Sequence, residues 1–392
     1  MEHQLREGVR AAEGTKARGQ PGREAHNDLK NDLLLTSIIG PLYSAPFAKK
    51  NIPNTAPHTK TKSPGGGLPP YKLESLVGKV IKRDLELLEI NLNESLLSEI
   101  HLATEISNYT ISSGGKRIRP LISILIARCL NYSGIKILSL ATAIELLHTA
   151  TLIHDDVVDE SEIRRGKLSV NKKWDAKHSV LIGDFVYSKA FQIIASLKDQ
   201  NIIKTLANST NKISEGEVMQ LSLLKTFISE EEYFEIIGRK TAELFQASAL
   251  SAAYLAKANS EQLSIIKDLS FAIGITFQIN DDLLDYFGDS LKTGKKLGQD
   301  LVEGKITLPL IKAYKLSNDK NKLILRNALG KSSKEDMANV IKIIRSSGAI
   351  EEVIKIRDKY FLICKKNILK LPNSSFRDYL LATAKVFNNI DI

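Results

Sequence analysis

The stretch ELLHTATLIHDDVVDESEIRRGK, residues 145–167, joins an apolar half to an acidic and then a basic one. Taken as one helix from Glu145 to Asp159, it returns residues four and seven apart to the same face. His148, Asp155 and Asp159 then form one stripe, and Asp156 stands about 100° round from Asp155. Two readings compete. The stretch is a solvated acidic face ended by Arg164 and Arg165, or it is half of a metal site built to hold a still more anionic guest.

A second stretch weighs against the first reading. FQINDDLLDYFGD (277–289) carries Asp281, Asp282 and Asp285 at the same spacing, with Gln278 one turn earlier. One DDxxD arises by chance in roughly one such chain in ten and two in under one in fifty, so chance is a poor account of the pair. Both clusters also follow apolar helical text, TATLIH and AIGITFQIN. Carboxylates rising from buried helices need counter-cations. Mg²⁺ suits them, because it keeps waters and bridges to phosphates instead of demanding a full protein cage.

Away from these clusters the chain divides in two. Of its 392 residues, 1–72 hold eight of the eleven prolines, with 11 Lys+Arg against 6 Asp+Glu, or +5 of the net +10. That composition, ending in SPGGGLPP (63–70), cannot bury a core and is expected to be a disordered extension or linker. Arg6, Arg10, Arg18 and Arg23 hint at organelle targeting, while Glu2, Glu7, Glu13 and Glu24 argue against it. A cytoplasmic location is the default expectation. From about Leu73 apolar residues recur three and four apart, as in LISILIARCL (121–130) and TAELFQASALSAAYLA (241–256). The periodicity predicts an all-α domain over 73–392, of about ten to fifteen helices. The two cysteines, Cys129 and Cys364, form no zinc or disulfide pattern. No run reaches the roughly 18–20 apolar residues of a membrane span. No Lys/Arg stripe is interleaved with aromatics, so no nucleic acid is expected.

Basic pieces accompany the acidic ones. GGKRIRP (114–120) sets Lys116 and Arg119 three apart at a helix start, where a helix N-terminus favours anions. Arg164 and Arg165 offer guanidinium forks suited to phosphate. GRKTAELF (238–245) adds Lys240 and Thr241, and KTGKKLGQDLVEGKITLPL (292–310) adds Lys295 and Lys305. Each alone reads more readily as a structural ion pair. With two metal clusters they describe room for two diphosphates.

These motifs, with GDFVYSKAFQ (183–192) and EGEVMQL (215–221), stand in the order found in trans-type polyprenyl diphosphate synthases, and the chain resembles that family from about 73 to 392. Within it the likeness is greatest to bacterial octaprenyl diphosphate synthases. The resemblance implies a single large helical bundle of the isoprenoid synthase type with a central hydrophobic cavity. It implies condensation of an allylic diphosphate, farnesyl diphosphate for choice, with isopentenyl diphosphate, giving a long all-trans product for quinone side chains. Mg²⁺, about three ions, would be held by Asp155 and Asp159, with Asp156 assisting, and in the second cluster by Asp281 first, with Asp282 and Asp285 acting through water. Lys116, Arg119, His148 and Arg165 match the isopentenyl diphosphate positions. Arg164, Lys240, Thr241, Gln278 and Lys305 match the allylic diphosphate positions, Lys240 also with a catalytic part. No protein nucleophile is needed, because the C–O bond breaks to an allylic cation that the isopentenyl double bond attacks. A homodimer is the family habit, and a lipophilic product implies transient membrane contact at release.

Ala150 and Thr151 lie five and four residues before Asp155, where the growing tail must pass. Small residues leave that floor open, and with about 5.4 Å per turn an isoprene unit takes about one turn, which predicts about seven to ten units. The plainer reading is that both are helix-packing residues, as His148 read alone is a core histidine. Two other functions compete: a shorter-chain, geranylgeranyl-type synthase, and a non-catalytic subunit of a heteromeric synthase, which would be expected to lose its acidic clusters. Terpene cyclases lack the GGKRIRP and RRG motifs.

Overall fold

The computed structural model describes residues 76–288, 297–331 and 333–388. The expected N-terminal extension, 1–72, and Lys295 lie outside the described residues. Helix α1 (Leu76–Ser95) leads to α2 (His101–Ser112), α3 (Ile118–Cys129) and α4 (Lys136–Val158). A two-stranded ribbon follows, β1 (Ile163–Arg164) and β2 (Lys167–Leu168). Then come α5 (Val170–Lys173), α6 (Ala176–Ser196), α7 (Gln200–Ser222) and α8 (Glu230–Ile237). A π-turn (Gly238–Ala242) carries α8 directly into α9 (Glu243–Leu255), and α10 (Ser260–Phe287) is the longest helix described. The C-terminal part holds α11 (Gln299–Val302), α12 (Leu308–Leu316), α13 (Asp319–Asn327), α14 (Lys334–Ser346), α15 (Ala349–Ile368) and α16 (Ser375–Asn388).

The all-α expectation holds, and the sixteen helices among the described residues exceed the expected number because α5 and α11 are single turns of four residues. The ribbon was not foreseen, since strands of two residues leave no alternation to read. Its turn is Arg165-Gly166, with φ of 52° and 76°. Positive φ at both central residues suits a two-residue hairpin and matches the right-handed twist of its strands.

Local chemistry sets the helix starts. Ser229 and Glu232 form a capping box for α8, and Asn259 and Gln262 form one for α10. Asp175 and Asp199 accept backbone N–H groups at the starts of α6 and α7. Helix α4 packs against α1, α3, α6 and α9, and α10 against α9, the π-turn, α15 and α16. Ile144, Leu146, Leu147 and Ile153 of α4 are buried, each stabilising the fold by about 1.5–3 kcal/mol.

Helix α4 corrects one expectation. An 18-residue window of it reaches a mean hydropathy of 1.4, enough by length and composition to cross a membrane. Yet 72% of that window is buried inside the protein, as befits the core helix of a bundle. Thr142, Glu145, His148 and Thr149 interrupt its apolar runs, so it escapes a count of unbroken apolar residues.

Candidate active site

The first acidic cluster lies where α4 ends. Asp155 and Asp156 are in its last turn, and Asp159 is the residue that stops it, with its N–H bonded to the Asp155 carbonyl at 2.8 Å. Burial, then the Glu217 carboxylate and Asp159, push the Asp155 carboxyl up to about 7, against Lys240 and Arg164. A carboxyl so placed is short of positive charge. Asp156 faces inward at 4% exposure, and Arg164 Nε donates to its Oδ1 at 2.7 Å. Burial pushes its pKa up while Arg164 opposes. Asp156 therefore serves first as the anchor of the RRG ribbon. Asp159 accepts from Lys305 Nζ at 2.9 Å.

The second cluster ends α10, and its three aspartates have three environments. Asp281 is exposed. Asp282 is 1% exposed, with Tyr233 Oη donating to Oδ2 at 2.6 Å and Gln278 Nε2 donating to Oδ1 at 2.8 Å. Burial and then Asp300 push its pKa up, and the two donors oppose. Asp285 accepts the backbone N–H groups of Gln299 at 3.0 Å and Asp300 at 3.2 Å, capping α11. The three aspartates of this cluster are therefore not equivalent. Asp282 is turned into the protein, and Asp285 is a helix cap. The two clusters are tied together through α11, since Lys305 reaches Asp159 and its own N–H is bonded to the Asp300 carbonyl at 2.8 Å. Among the described residues no three acidic side chains converge on one point. The donors thus suit a cation that takes its remaining ligands from phosphate and water.

The cations expected for an allylic diphosphate are all held on carboxylates. Arg164 is on Asp156, and Lys240 donates to Glu217 at 2.7 Å and to Gln220 Oε1 at 2.8 Å. Lys305 is on Asp159 and on Glu303, the latter at 2.7 Å. Against burial, which lowers it, Asp159 and Glu303 hold the Lys305 ammonium above its ordinary value. Lys240 and Thr241 sit in the π-turn, and Thr241 Oγ1 donates to Gln278 Oε1 at 2.7 Å. Sequence reasoning missed Tyr233, Glu303 and the individual roles of Glu217 and Gln220. EGEVMQL was the available signal for the last two.

The isopentenyl candidates gather about two turns back along α4, around His148. Arg119, 9% exposed, places Nη1 3.2 Å from His148 Nε2 and its guanidinium carbon 4.4 Å from the Phe245 ring centre. Arginine is the donor there, so Nε2 accepts and the ring is neutral. Burial, then Arg119 and Arg165, hold the His148 pKa well below its usual value. Burial and Arg165 bring Arg119 down to about 10, although Glu145 opposes. The buried Arg119 Nε has no hydrogen-bond partner in the protein. Gly115 lets the loop approach Arg165 closely, because a Cβ there would lie 2.8 Å from its Nη1. Arg117 takes φ of 45° and is locked to Glu89 at 2.6 Å and Glu145 at 2.8 Å, shaping the turn that carries Lys116. Cations held near one another with an unmet donor define an anion site.

Ala150 is fully buried in the core. Thr151 is half-buried on the Asp155 stripe, its hydroxyl donating back to the His148 carbonyl at 2.8 Å.

Two acidic jaws, a cationic rim and a second anion pocket on an all-α bundle define a diphosphate-handling isoprenoid synthase. Residues 100–346 match the polyprenyl synthetase family model, and the chain belongs to that family. The chain is 36% identical to the octaprenyl diphosphate synthase of Haemophilus influenzae, over 79% of this chain and 94% of that one. It is 35% identical to the all-trans-nonaprenyl-diphosphate synthase (geranyl-diphosphate specific) of Rhodobacter capsulatus, over 77% and 93%. The structure of a polyprenyl synthase from Caulobacter crescentus CB15, complexed with calcium and isoprenyl diphosphate, is similar with a TM-score of 0.76 and 32% identity, over 79% of this chain and 95% of that one. The protein is a trans-prenyltransferase, a polyprenyl diphosphate synthase with the isoprenoid synthase fold.

Proposed function

We propose that the enzyme extends an allylic diphosphate, farnesyl diphosphate for choice, with isopentenyl diphosphate to about seven to ten isoprene units, eight being favoured. The observation that carries this reading is the pairing of a cation-poor carboxyl, Asp155, with a cation-rich pocket at Arg119, His148 and Arg165 on the same helix bundle. Asp155, Asp159 and Asp281 are the residues to hold Mg²⁺, which when bound supplies charge neutralisation on the leaving diphosphate. Lys240, Arg164 and Lys305 then exchange carboxylate partners for phosphate oxygens, so the site changes partners without moving its helices. Arg119, Arg165 and Lys116 hold the second diphosphate. Neutral His148 donates through its other ring nitrogen. The apolar core below Thr151 keeps water from the allylic cation and receives the tail.

Octaprenyl and nonaprenyl relatives match almost equally well, so length rests on the open floor at Ala150 and Thr151. A quinone side-chain role, a cytoplasmic enzyme, a domain beginning near residue 73 and membrane contact at release complete the reading. A homodimer is supported by the exposed apolar side chains of Val180 and Leu181 on α6 and of Ile163 and Leu168 on the ribbon. Thr151→Phe tests the floor: the product should shorten by at least one isoprene unit, and an unchanged long product by mass analysis would refute it.

A further inference from the structure

Asp282 repeats the middle position of the first cluster but has a different task. A row of hydrogen bonds through its side chain joins three elements: α8 supplies Tyr233, α10 supplies Asp282 and Gln278, and the π-turn supplies Thr241. Tyr233, Asp282 and Thr241 are 2%, 1% and 7% exposed, and Gln278 between them is half-buried. Tyr233 Oη donates to Asp282 Oδ2 at 2.6 Å, Gln278 Nε2 donates to Oδ1 at 2.8 Å, and Thr241 Oγ1 donates to Gln278 Oε1 at 2.7 Å.

The order of donors and acceptors leaves little freedom. A primary amide has a donating end and an accepting end, and both oxygens of Asp282 are used as acceptors. Gln278 must turn its NH₂ to Asp282, which aims its carbonyl oxygen at the Thr241 hydroxyl. That hydroxyl spends its one proton on Oε1, so the row has a fixed direction from Tyr233 to the π-turn. The same turn bears Lys240, the ammonium shared by Glu217 and Gln220. Gly274 lets α10 come close enough for the row to form, because a Cβ there would lie 2.5 Å from the Ala242 Cα.

We propose that Asp282, backed by Tyr233, is a positioning residue that fixes the Gln278 amide and through it the Lys240–Thr241 turn. This assignment rests on the polyprenyl synthase reading of the site. It separates the second cluster into a metal-facing Asp281 and an inward-facing Asp282. Asp282 sets the geometry of the reacting end of the allylic substrate without touching metal or diphosphate.

The test is a double-mutant cycle on the full chain. Asp282→Asn is predicted to lower kcat about 10–100-fold, because a side-chain amide cannot accept on both sides and the row must reverse or break. KM for isopentenyl diphosphate and the Mg²⁺ concentration at half-maximal rate should change by less than about threefold. In a Gln278→Ala background, Asp282→Asn should cost less than about threefold further, since the amide it orients is gone. Tyr233→Phe, which only deletes a hydroxyl, should reproduce a smaller kcat loss and show the same dependence on Gln278. As a readout independent of turnover, Asp282→Asn should keep the wild-type rise in melting temperature with Mg²⁺ and inorganic pyrophosphate, while Asp281→Asn loses it. An undiminished Asp282→Asn loss in the Gln278→Ala background overturns the proposal, as does a loss of the Mg²⁺–pyrophosphate shift. Should wild-type enzyme make no polyprenyl product, the underlying reading fails. Should it turn over normally while the cycle shows no coupling, only the assignment of Asp282 fails.

Discussion

At Asp155 burial and two neighbouring carboxylates all oppose ionisation, and its folded pKa of about 7 lies well above the ordinary 3.8. Between those values the metal-free folded state binds more protons than the unfolded state, so stability falls as pH rises through this window. The contribution is on the order of 2 kcal/mol once partial exposure is allowed for. Asp155→Asn should remove that dependence. In chelator at pH 8 the variant should melt at or above the wild-type temperature, and at pH 4 the two should coincide. Its turnover should fall by at least about 10³-fold, because the charge stabilising the leaving group is lost with the ligand. A melting temperature well below wild type would make Asp155 a structural residue. On the isopentenyl side, Arg119→Lys should raise KM for isopentenyl diphosphate about tenfold or more, as a point charge cannot replace a fork buried against His148 and Phe245.

Among the secondary-structure elements, the π-turn between α8 and α9 does most to shape the allylic side. It places Lys240 and Thr241 together, and Gly274 of α10 is the contact that seats it. Gly274→Ala should destabilise by about 1–3 kcal/mol through overpacking and lower kcat more than KM, since the turn must shift from the Gln278 row. Thermal melting and steady-state kinetics check both. The turn was not legible in advance, because GRKTA has no signature that separates a π-turn from a continuing helix. The RRG hairpin was equally hidden. The resemblance gave Arg164 to the allylic diphosphate and Arg165 to isopentenyl diphosphate, and the fold separates them through their partners, Arg164 on Asp156 and Arg165 against Gly115. What was legible was periodicity. The apolar spacing before each DDxxD predicted helices that end in carboxylates, and α4 and α10 do so.

For the molecule as a whole, identical spacing concealed different environments. The two aspartate clusters read alike because spacing reports which residues share a helix face, not what packs opposite it. Tyr233 closes one face of α10 and α11 closes another, so Asp282 and Asp285 are engaged inside the protein and Asp281 is left exposed at the end of α10. The fold class followed from sequence, and two of the carboxylate partners that hold the cations, Glu217 and Glu303, did not. Of those partners, Glu217 lies far in sequence from Lys240, and Glu303 sits in a Gly-spaced loop whose lack of period hides its contact with Lys305. The central claim concerns the product, and one incubation tests it most directly. Full-length enzyme with farnesyl diphosphate, isotopically labelled isopentenyl diphosphate and Mg²⁺ should yield an all-trans polyprenyl diphosphate of about seven to ten units by mass, abolished by chelator. Label remaining in isopentenyl diphosphate, or a product stopping at four units, would contradict the account.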